Sequence, residues 1–322
     1  MKAISVFSGG LDSILAAEMI RRQGIEVQAV FFETPFFTSS KAKATAAAIH
    51  LPIKIRDITQ RHLGVVKDPP HGYGGHMNPC IDCHALMFRI AGEMMEEEGA
   101  GFIITGEVLG QRPMSQNRGA LSIIDRQSGM EGLILRPLSA KHLPLTVPEE
   151  KGWVRRDELM DFSGRSRKPQ MELAIRFNIK DYPSPAGGCL LTEEVFSRRL
   201  KDLMSFDPDF EVRDIELLKT GRHFRIGPET KLIIGRKEDE NSGIGSLAGE
   251  EDLLMTTPSV PGPSALMTGV ITTLAEGLAA SMTVSYSDAK TTETLVKIRH
   301  KGKDRLIMAR GQEKACFIKY MI

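Results

Sequence analysis

The chain reads as an α/β protein: a doubly wound parallel sheet followed by a second, smaller, β-rich domain. Three observations predict this. Short apolar runs rich in strand-forming residues alternate with helical patterns over the first 140 residues. A glycine-bearing turn, Ser8-Gly9-Gly10-Leu11-Asp12-Ser13, joins the first run to the first helical pattern. Beyond about Pro208 the texture changes to short β-prone runs punctuated by Pro and Gly.

Ala3 to Phe7 predicts the first strand, and Ile14 to Arg22 the first helix, with Ile14, Leu15, Ala17 and Ile20 at helical spacings and Arg21 and Arg22 near its end. Glu26 to Phe32 predicts a second strand and Lys54 to Ile58 a third, with the alanine-rich Lys41 to His50 between them as a helix. The pattern Leu86 to Glu98 is a helix leading to the run Gly101 to Thr105, and Gly132 to Leu135 adds one more strand. In such a sheet ligands lie at the carboxyl ends of the strands, which puts Ser8 to Ser13, Phe32 and Gly106 on one rim.

In the turn itself, two glycines let the backbone approach an oxyanion, serine hydroxyls add donors, and the following helix points unpaired N–H groups at it. Asp12 has the wrong charge for a phosphate unless a divalent cation lies between them, so magnesium is expected. The turn lacks the Gly-Lys-Ser/Thr ending of the common phosphate loop and the glycine spacing of the dinucleotide fingerprint. An ordinary turn with a helix cap from Asp12 or Ser13 is the plain alternative.

Composition bounds the function. The 322 residues are 41% hydrophobic and 26% charged with a net charge of +1, which suits a soluble globular chain of two domains in which no tail dominates. No run of about 18 apolar residues and no basic-then-apolar leader is present, so no membrane partner is expected and the localisation predicted is cytoplasmic. Four cysteines are too few for a secreted disulfide framework.

Their spacing points instead to metal binding or thiol chemistry. The segment Pro69 to Pro79, broken by prolines and glycines, delivers Cys80-Ile81-Asp82-Cys83 to the start of the Leu86 to Glu98 helix, where a helix N-terminus is expected to lower thiol pKa. Cys189 closes the loop Pro183-Ser184-Pro185-Ala186-Gly187-Gly188 in a similar loop-to-helix setting. Cys316, in Ala315-Cys316-Phe317-Ile318, reads as a buried small hydrophobe.

Three stretches carry a resemblance to a known family. Ser8 to Ser13, Leu86-Met87-Phe88-Arg89-Ile90-Ala91, and Thr105-Gly106-Glu107-Val108-Leu109-Gly110-Gln111-Arg112-Pro113-Met114-Ser115-Gln116 resemble the ATP-using domain of tRNA 4-thiouridine synthetases, PP-loop ATP pyrophosphatases of the adenine nucleotide alpha hydrolase-like fold. The resemblance implies that Ser8, Gly9, Gly10, Asp12 and Ser13 cradle the phosphates, that Gly106 and Gln116 contact ATP, and that the strand ends at Val6, Phe7, Phe31 and Phe32 hold the adenine. Asn78-Pro79-Cys80-Ile81-Asp82-Cys83 paired with a cysteine 106 residues later is similar instead to the tRNA 2-thiouridylases, which implies that Cys83 and Cys189 handle sulfur. A more distant group, the iron–sulfur-dependent tRNA thiolases, uses a Cys-x-x-Cys plus one remote cysteine to hold a 4Fe-4S cluster; by that likeness Cys80, Cys83 and Cys189 are the metal ligands. Zinc held by three cysteines plus His76 or His84 is the structural alternative.

The resemblance covers roughly residues 1 to 200. The family's N-terminal tRNA-binding region and sulfur-carrying domain are not apparent, so other surfaces are expected to hold RNA. From Lys151 to Lys180 eight Lys/Arg face four Asp/Glu, with Trp153 among them, which suits backbone binding and base stacking or, equally, a solvated helical face.

The expected organisation is therefore a nucleotide and thiolation domain over 1–207 and a β-rich domain over 208–322, separated at Asp207-Pro208-Asp209. In the second, the runs Ile215 to Leu218, Phe224 to Ile226, Lys231 to Arg236, Asp252 to Thr256, Thr283 to Tyr286, Thr294 to His300 and Arg305 to Ala309 are read as strands, with an apolar helix near Val270 to Leu278. Its sixteen Lys/Arg and sixteen Asp/Glu from Asp209 onward cancel, although Lys297 to Lys303 could form an RNA-facing hairpin. Phe224-Arg225-Ile226-Gly227 loosely resembles an RNA-binding module of ribosome quality-control proteins.

The function expected is that of an enzyme, an ATP-dependent tRNA sulfurtransferase of thiouridine biosynthesis. Catalysis is expected at Asp12, Cys83 and Cys189, with ATP and Mg2+ as cofactors and a 4Fe-4S cluster, or zinc, at the cysteines. The partners are tRNA and a sulfur donor, either sulfide or a persulfide-carrying protein; homodimerisation is left open. Two rivals stand beside it: another PP-loop pyrophosphatase that forms amides or modifies bases around a structural zinc, and a non-catalytic, ATP-sensing RNA-binding protein.

Overall fold

A computed structural model of the chain describes residues 1–183, 188–290 and 292–322. They fall into two compact units, Met1–Thr192 and Glu193–Ile322.

The first unit is built on five parallel strands in the order β3-β2-β1-β4-β5: β1 (Lys2–Val6), β2 (Glu26–Glu33), β3 (Ile53–Asp57), β4 (Phe102–Thr105) and β5 (Ile134–Leu135). Every strand of the predicted alternation is present, shifted by one or two residues. The connecting helices are α1 (Leu11–Arg21), α2 (Ser40–Ala48), α3 (Thr59–Lys67), α4 (Cys80–Glu98) and α5 (Arg118–Ser128), with α6 (Val147–Glu150) and α7 (Lys168–Arg176) after the last strand. The central strands are apolar on both faces, as a sheet covered on both sides requires. Ile14, Leu15, Phe102 and Ile104 pack in the core on one side, and Ile4, Val30, Phe88 and Ile103 in the core on the other. The chain first runs outward through β2 and β3, then reverses through β4 and β5. The crevice at that reversal opens between the carboxyl ends of β1 and β4, where open α/β sheets bind ligands.

The second unit holds α8 (Glu194–Phe206), α9 (Val212–Leu218), β6 (Arg222–Gly227), β7 (Thr230–Ile234), α10 (Glu238–Leu247), β8 (Leu253–Thr256), β9 (Ala265–Gly269), α11 (Thr273–Ser285), β10 (Glu293–His300) and β11 (Lys303–Arg310). Its six strands form an antiparallel sheet, β11-β10-β8-β9-β7-β6. Ala279, Ala280 and Met282 of α11 cover one face, joined by Phe317, while Leu217 and Ile244 pack on Ile233 and Leu266 of the other.

Three expectations are corrected here. The division falls at Thr192/Glu193 rather than at 207/208, because α8 is tied to the second unit: the Arg199 guanidinium donates to Leu218 O (2.7 Å) and Gly221 O (2.9 Å), and Asp202 pairs with Arg225 (2.5 Å). Ile215 to Leu218 is the end of helix α9, entered through a reciprocal cap between Glu211 and Asp214. Thr283 to Tyr286 closes helix α11, where Thr283 Oγ1 donates to Ala279 O at 2.8 Å. Short apolar runs do not distinguish the two periods, and here helix packing onto the sheet decides.

Candidate functional site: a glycine turn and three thiols

The Ser8 to Ser13 turn follows β1 directly. Gly9 has φ +77°, and a Cβ there would lie 2.7 Å from Ala42 Cα, so both conformation and packing against α2 demand glycine. Gly10, in extended conformation, precedes α1, and no side chain caps that helix, which leaves its first N–H groups facing the crevice. The serines brace the turn: Ser13 Oγ donates to Gly10 O at 2.8 Å, Gly10 N donates to Ser8 Oγ at 3.3 Å, and the two hydroxyls lie 3.3 Å apart.

Asp12 sits in the first turn of α1. Its Oδ2 accepts from Gln111 Nε2 at 2.7 Å, while Oδ1 is buried and has no hydrogen-bond partner among the described residues. An acceptor-only oxygen left bare beside free helix N–H groups suits a hydrated magnesium, an ion held by one or two carboxylates together with phosphate oxygens.

Gly106, at the end of β4, closes the crevice from the other side. A Cβ on it would lie 2.5 Å from both Asp12 C and Ser13 N, so the end of β4 meets the first turn of α1 backbone to backbone. Gln116 closes its own loop, its Oε1 accepting from Arg112 N at 3.1 Å. The residue of this motif that reaches Asp12 is Gln111, which the sequence reading passed over although it lay inside the quoted motif. The side chains of Phe7, Phe31 and Phe32 are all buried in the core, so what β1 and β2 can offer an adenine at these positions is main chain; Val6 is partly buried.

Glu107 follows Gly106 and is buried among charges. Arg136 Nε donates to its Oε2 at 2.9 Å, His84 Nδ1 lies 2.7 Å from Oε1, and the Arg136 guanidinium also holds Asp125 at 2.7 and 3.0 Å. Burial pushes the Glu107 carboxyl up, but the Arg136 charge and the His84 bond outweigh it and hold the pKa at about 2. His84 is thereby committed through Nδ1 to this network.

Cys80 and Cys83 begin α4, as their spacing predicted. Cys83 lies within electrostatic reach of both Cys189 and Cys80, and Cys80 within reach of Arg112 on the Gly106 to Gln116 loop. The Gly106 to Gln116 loop thus lies within electrostatic reach of Cys80, while Ser184 to Gly187, in the segment that leads to Cys189, lie outside the described residues. Leu190 N, next to Cys189, donates to Phe36 O at 3.1 Å, and the Phe36 and Phe37 rings both pack on His62. His62 Nε2 in turn lies 3.2 Å from Cys83 Sγ, a neighbour that a lone histidine on an apolar helix face did not announce.

The expected lowering of thiol pKa by the helix N-terminus is reversed. Burial pushes both Cys80 and Cys83 up, and the neighbouring thiols Cys189 and Cys80 raise Cys83 further, well above 9.0. Burial likewise lowers His62 to about 4, so its imidazole is neutral. Among the described residues no three His, Cys, Asp or Glu side chains converge closely enough to hold a metal ion. Cys316 is exposed rather than buried. Trp153 spends its ring on Phe102, stacked at 6.5 Å, and on the Lys151 amine at 4.8 Å, which favours the core reading over a free base-stacking platform. Among the described residues no helix is long and apolar enough to cross a membrane.

Comparison with known proteins follows the same division. Residues 1–142 match the family model described as thiamine biosynthesis protein (ThiI), and residues 221–321 the one described as NFACT protein RNA binding domain. The chain is 30% identical over 146 residues to a probable tRNA sulfurtransferase of Thermoanaerobacter sp., a match covering 42% of this chain and 36% of that protein. It is 31% identical over 118 residues to a probable tRNA sulfurtransferase of Methanosarcina mazei, covering 34% and 29%. The matched span is thus about a third of the length of these curated relatives. Two solved structures are distant: a predicted subunit of tRNA methyltransferase from Methanocaldococcus jannaschii (TM-score 0.33, 17% identity, 42% of this chain and 69% of that one) and the C-terminal part of the fibronectin/fibrinogen-binding protein of Streptococcus suis (TM-score 0.29, 11% identity, 75% and 90%). In one chain, then, residues 1–142 are similar to the ThiI family and residues 221–321 to the NFACT RNA-binding domain.

Proposed function

We propose that the protein is an ATP-dependent tRNA sulfurtransferase that replaces a uridine carbonyl oxygen with sulfur. The observations that carry this reading are the close approach of Gly106 to Asp12 and the Arg112 charge, on the Gly106 to Gln116 loop, within electrostatic reach of Cys80. The tRNA sulfurtransferase relatives and the RNA-binding family at the carboxyl end support it.

The N–H groups at the start of α1, with Ser8 and Ser13, would receive the phosphates of ATP. Asp12, through its bare Oδ1, would hold magnesium, which when bound neutralises phosphate charge. A uridine carbonyl oxygen attacks the α-phosphorus, pyrophosphate departs, and the N3 proton is lost. The oxygen has then become part of a good leaving group.

Sulfur arrives as a persulfide on Cys189, the Cys189 thiolate taking the outer, sulfane sulfur of a persulfide-carrying donor and leaving that donor as its thiol. Its terminal sulfur bonds to the ring carbon, AMP leaves, and a mixed disulfide joins the nucleoside to Cys189. Cys83 attacks the Cys189 sulfur, freeing the thiocarbonyl, and a Cys83–Cys189 disulfide remains for a thiol reductant to open. The Cys83 proton ends on the thionucleoside, and the neutral His62 ring at 3.2 Å is placed to relay it. Among the described residues no three His, Cys, Asp or Glu side chains are grouped for a metal, and the steps are written on the thiols alone, with a cluster or zinc at Cys80, Cys83 and Cys189 as the alternative occupant.

The test is pyrophosphate release and thionucleoside formation with unmodified tRNA, a persulfide donor and a thiol reductant. Asp12→Ala should abolish both, and Cys189→Ala should abolish only the second. Pyrophosphate release driven by small acids or ammonia in place of tRNA, or sulfur incorporation that survives Cys189→Ala, would overturn the assignment.

A further inference from the structure

Two amides, one partly and one fully buried, stand behind Asp12 and belong to none of the roles assigned so far. Gln111 Nε2 donates to Asp12 Oδ2 at 2.7 Å, and Gln170 Nε2 donates to Gln111 Oε1 at 2.9 Å. Gln170 is fully buried on α7, and its own Oε1 has no partner among the described residues. A buried glutamine with one face unpaired is unfavourable unless the paired face does something that packing alone would not require.

The direction of this chain of hydrogen bonds is set by chemistry. An ionised carboxylate only accepts, so Gln111 must turn its NH2 group towards Asp12. That leaves the Gln111 carbonyl on the far side, and only a donor can satisfy it there. Gln170 supplies the donor, and so locks the Gln111 amide against a flip that would set two oxygens against each other. The result is an asymmetric carboxylate: Oδ2 is committed to protein, and Oδ1 is left bare.

We infer that Gln111 and Gln170 are positioning residues that present Asp12 Oδ1 to the magnesium of the nucleotide complex, and that the orientation of the Gln111 amide sets the affinity for that cation. This rests on the nucleotide reading of the Ser8 to Ser13 turn.

The experiment measures cation binding separately from turnover. The full-length protein is titrated with Mn2+ as a spin probe in the presence of a non-hydrolysable ATP analogue, and analogue binding is measured in parallel with EDTA. Gln111→Leu, which removes a hydrogen bond to a charged group, should weaken Mn2+ by about tenfold while analogue affinity in EDTA stays within about twofold. Gln170→Glu offers Gln111 an acceptor where a donor stood; it should flip the amide and weaken Mn2+ to a similar extent, whereas Gln170→Met should weaken it less. In the background of Gln111→Leu, Gln170→Glu should add nothing, because no amide remains to flip.

Circular dichroism and the thermal midpoint establish that each variant is folded, and Gln111, being only partly buried, supports the test if the Gln170 variants do not fold. Wild-type protein that binds the analogue neither with Mn2+ nor in EDTA would remove the nucleotide reading itself. Wild-type protein that binds Mn2+ normally, with Gln111→Leu unchanged, would remove the relay and leave that reading standing.

Discussion

Replacing Gly106 with alanine should damage the nucleotide site through backbone packing, with no lost nucleotide contact needed to explain it. The added Cβ would lie 2.5 Å from Asp12 C and from Ser13 N and 2.7 Å from Asp12 O, all main-chain atoms that cannot swing aside. Ordinary contact begins near 3.4 Å, so β4 or the start of α1 must retreat by about 0.9 Å. Overpacking of this kind costs about 1–3 kcal/mol, which in a unit of this size lowers the melting temperature by roughly 2–10 °C. The displaced atoms belong to Asp12 itself and to Ser13, so nucleotide affinity should fall as well. Scanning calorimetry and equilibrium binding of a non-hydrolysable ATP analogue with Mg2+ read the two effects. A variant with wild-type melting and wild-type affinity would refute the close approach of the end of β4 to the first turn of α1.

Three further outcomes are expected. Arg136→Met leaves Glu107 and Asp125 buried without their cation and should cost about 3–5 kcal/mol in urea unfolding, with a smaller loss when Glu107→Gln accompanies it; equal losses would mean that the ion pairs are not coupled. His62 is neutral in the fold down to about pH 4, while the unfolded chain takes up its proton near 6.5. Stability should therefore fall by on the order of 3 kcal/mol as pH drops across that window, and His62→Phe should remove this slope in pH-dependent thermal melts. Alkylation by iodoacetamide, followed by peptide mass spectrometry, should modify exposed Cys316 first and Cys83 last, with the Cys83 rate climbing steeply above pH 8; equal rates at pH 7 would contradict the raised Cys83 thiol.

Much of the first unit was legible because its signals are local. The Ser8 to Ser13 turn, the Cys80 to Cys83 spacing and the alternation of apolar runs each lie within a few residues, and their structural consequence follows from backbone geometry. The second unit was harder. Its strands β6, β7, β8, β10 and β11 were anticipated, but β9 was missed, and α9 and the end of α11 were read as strands. Runs of four residues carry too little periodicity, and the covering of one sheet face by α9 and α10 and the other by α11 is a matter of packing.

By itself the sequence determined that a glycine turn ends the first strand, that two thiols open a helix and that the charges balance, because these depend on residue types at short spacing. Only the tertiary structure decided which of those residues meet. It selected Gln111 rather than Gln116 to face Asp12, set His62 against Cys83 and committed His84 to Glu107. It also reversed the expected pKa shift of the helix-start thiols, since burial by distant segments outweighs the helix dipole. These pairings join residues separated by 21 to 99 positions in the chain, and such distances are closed by sheet order and core packing, which no local pattern encodes.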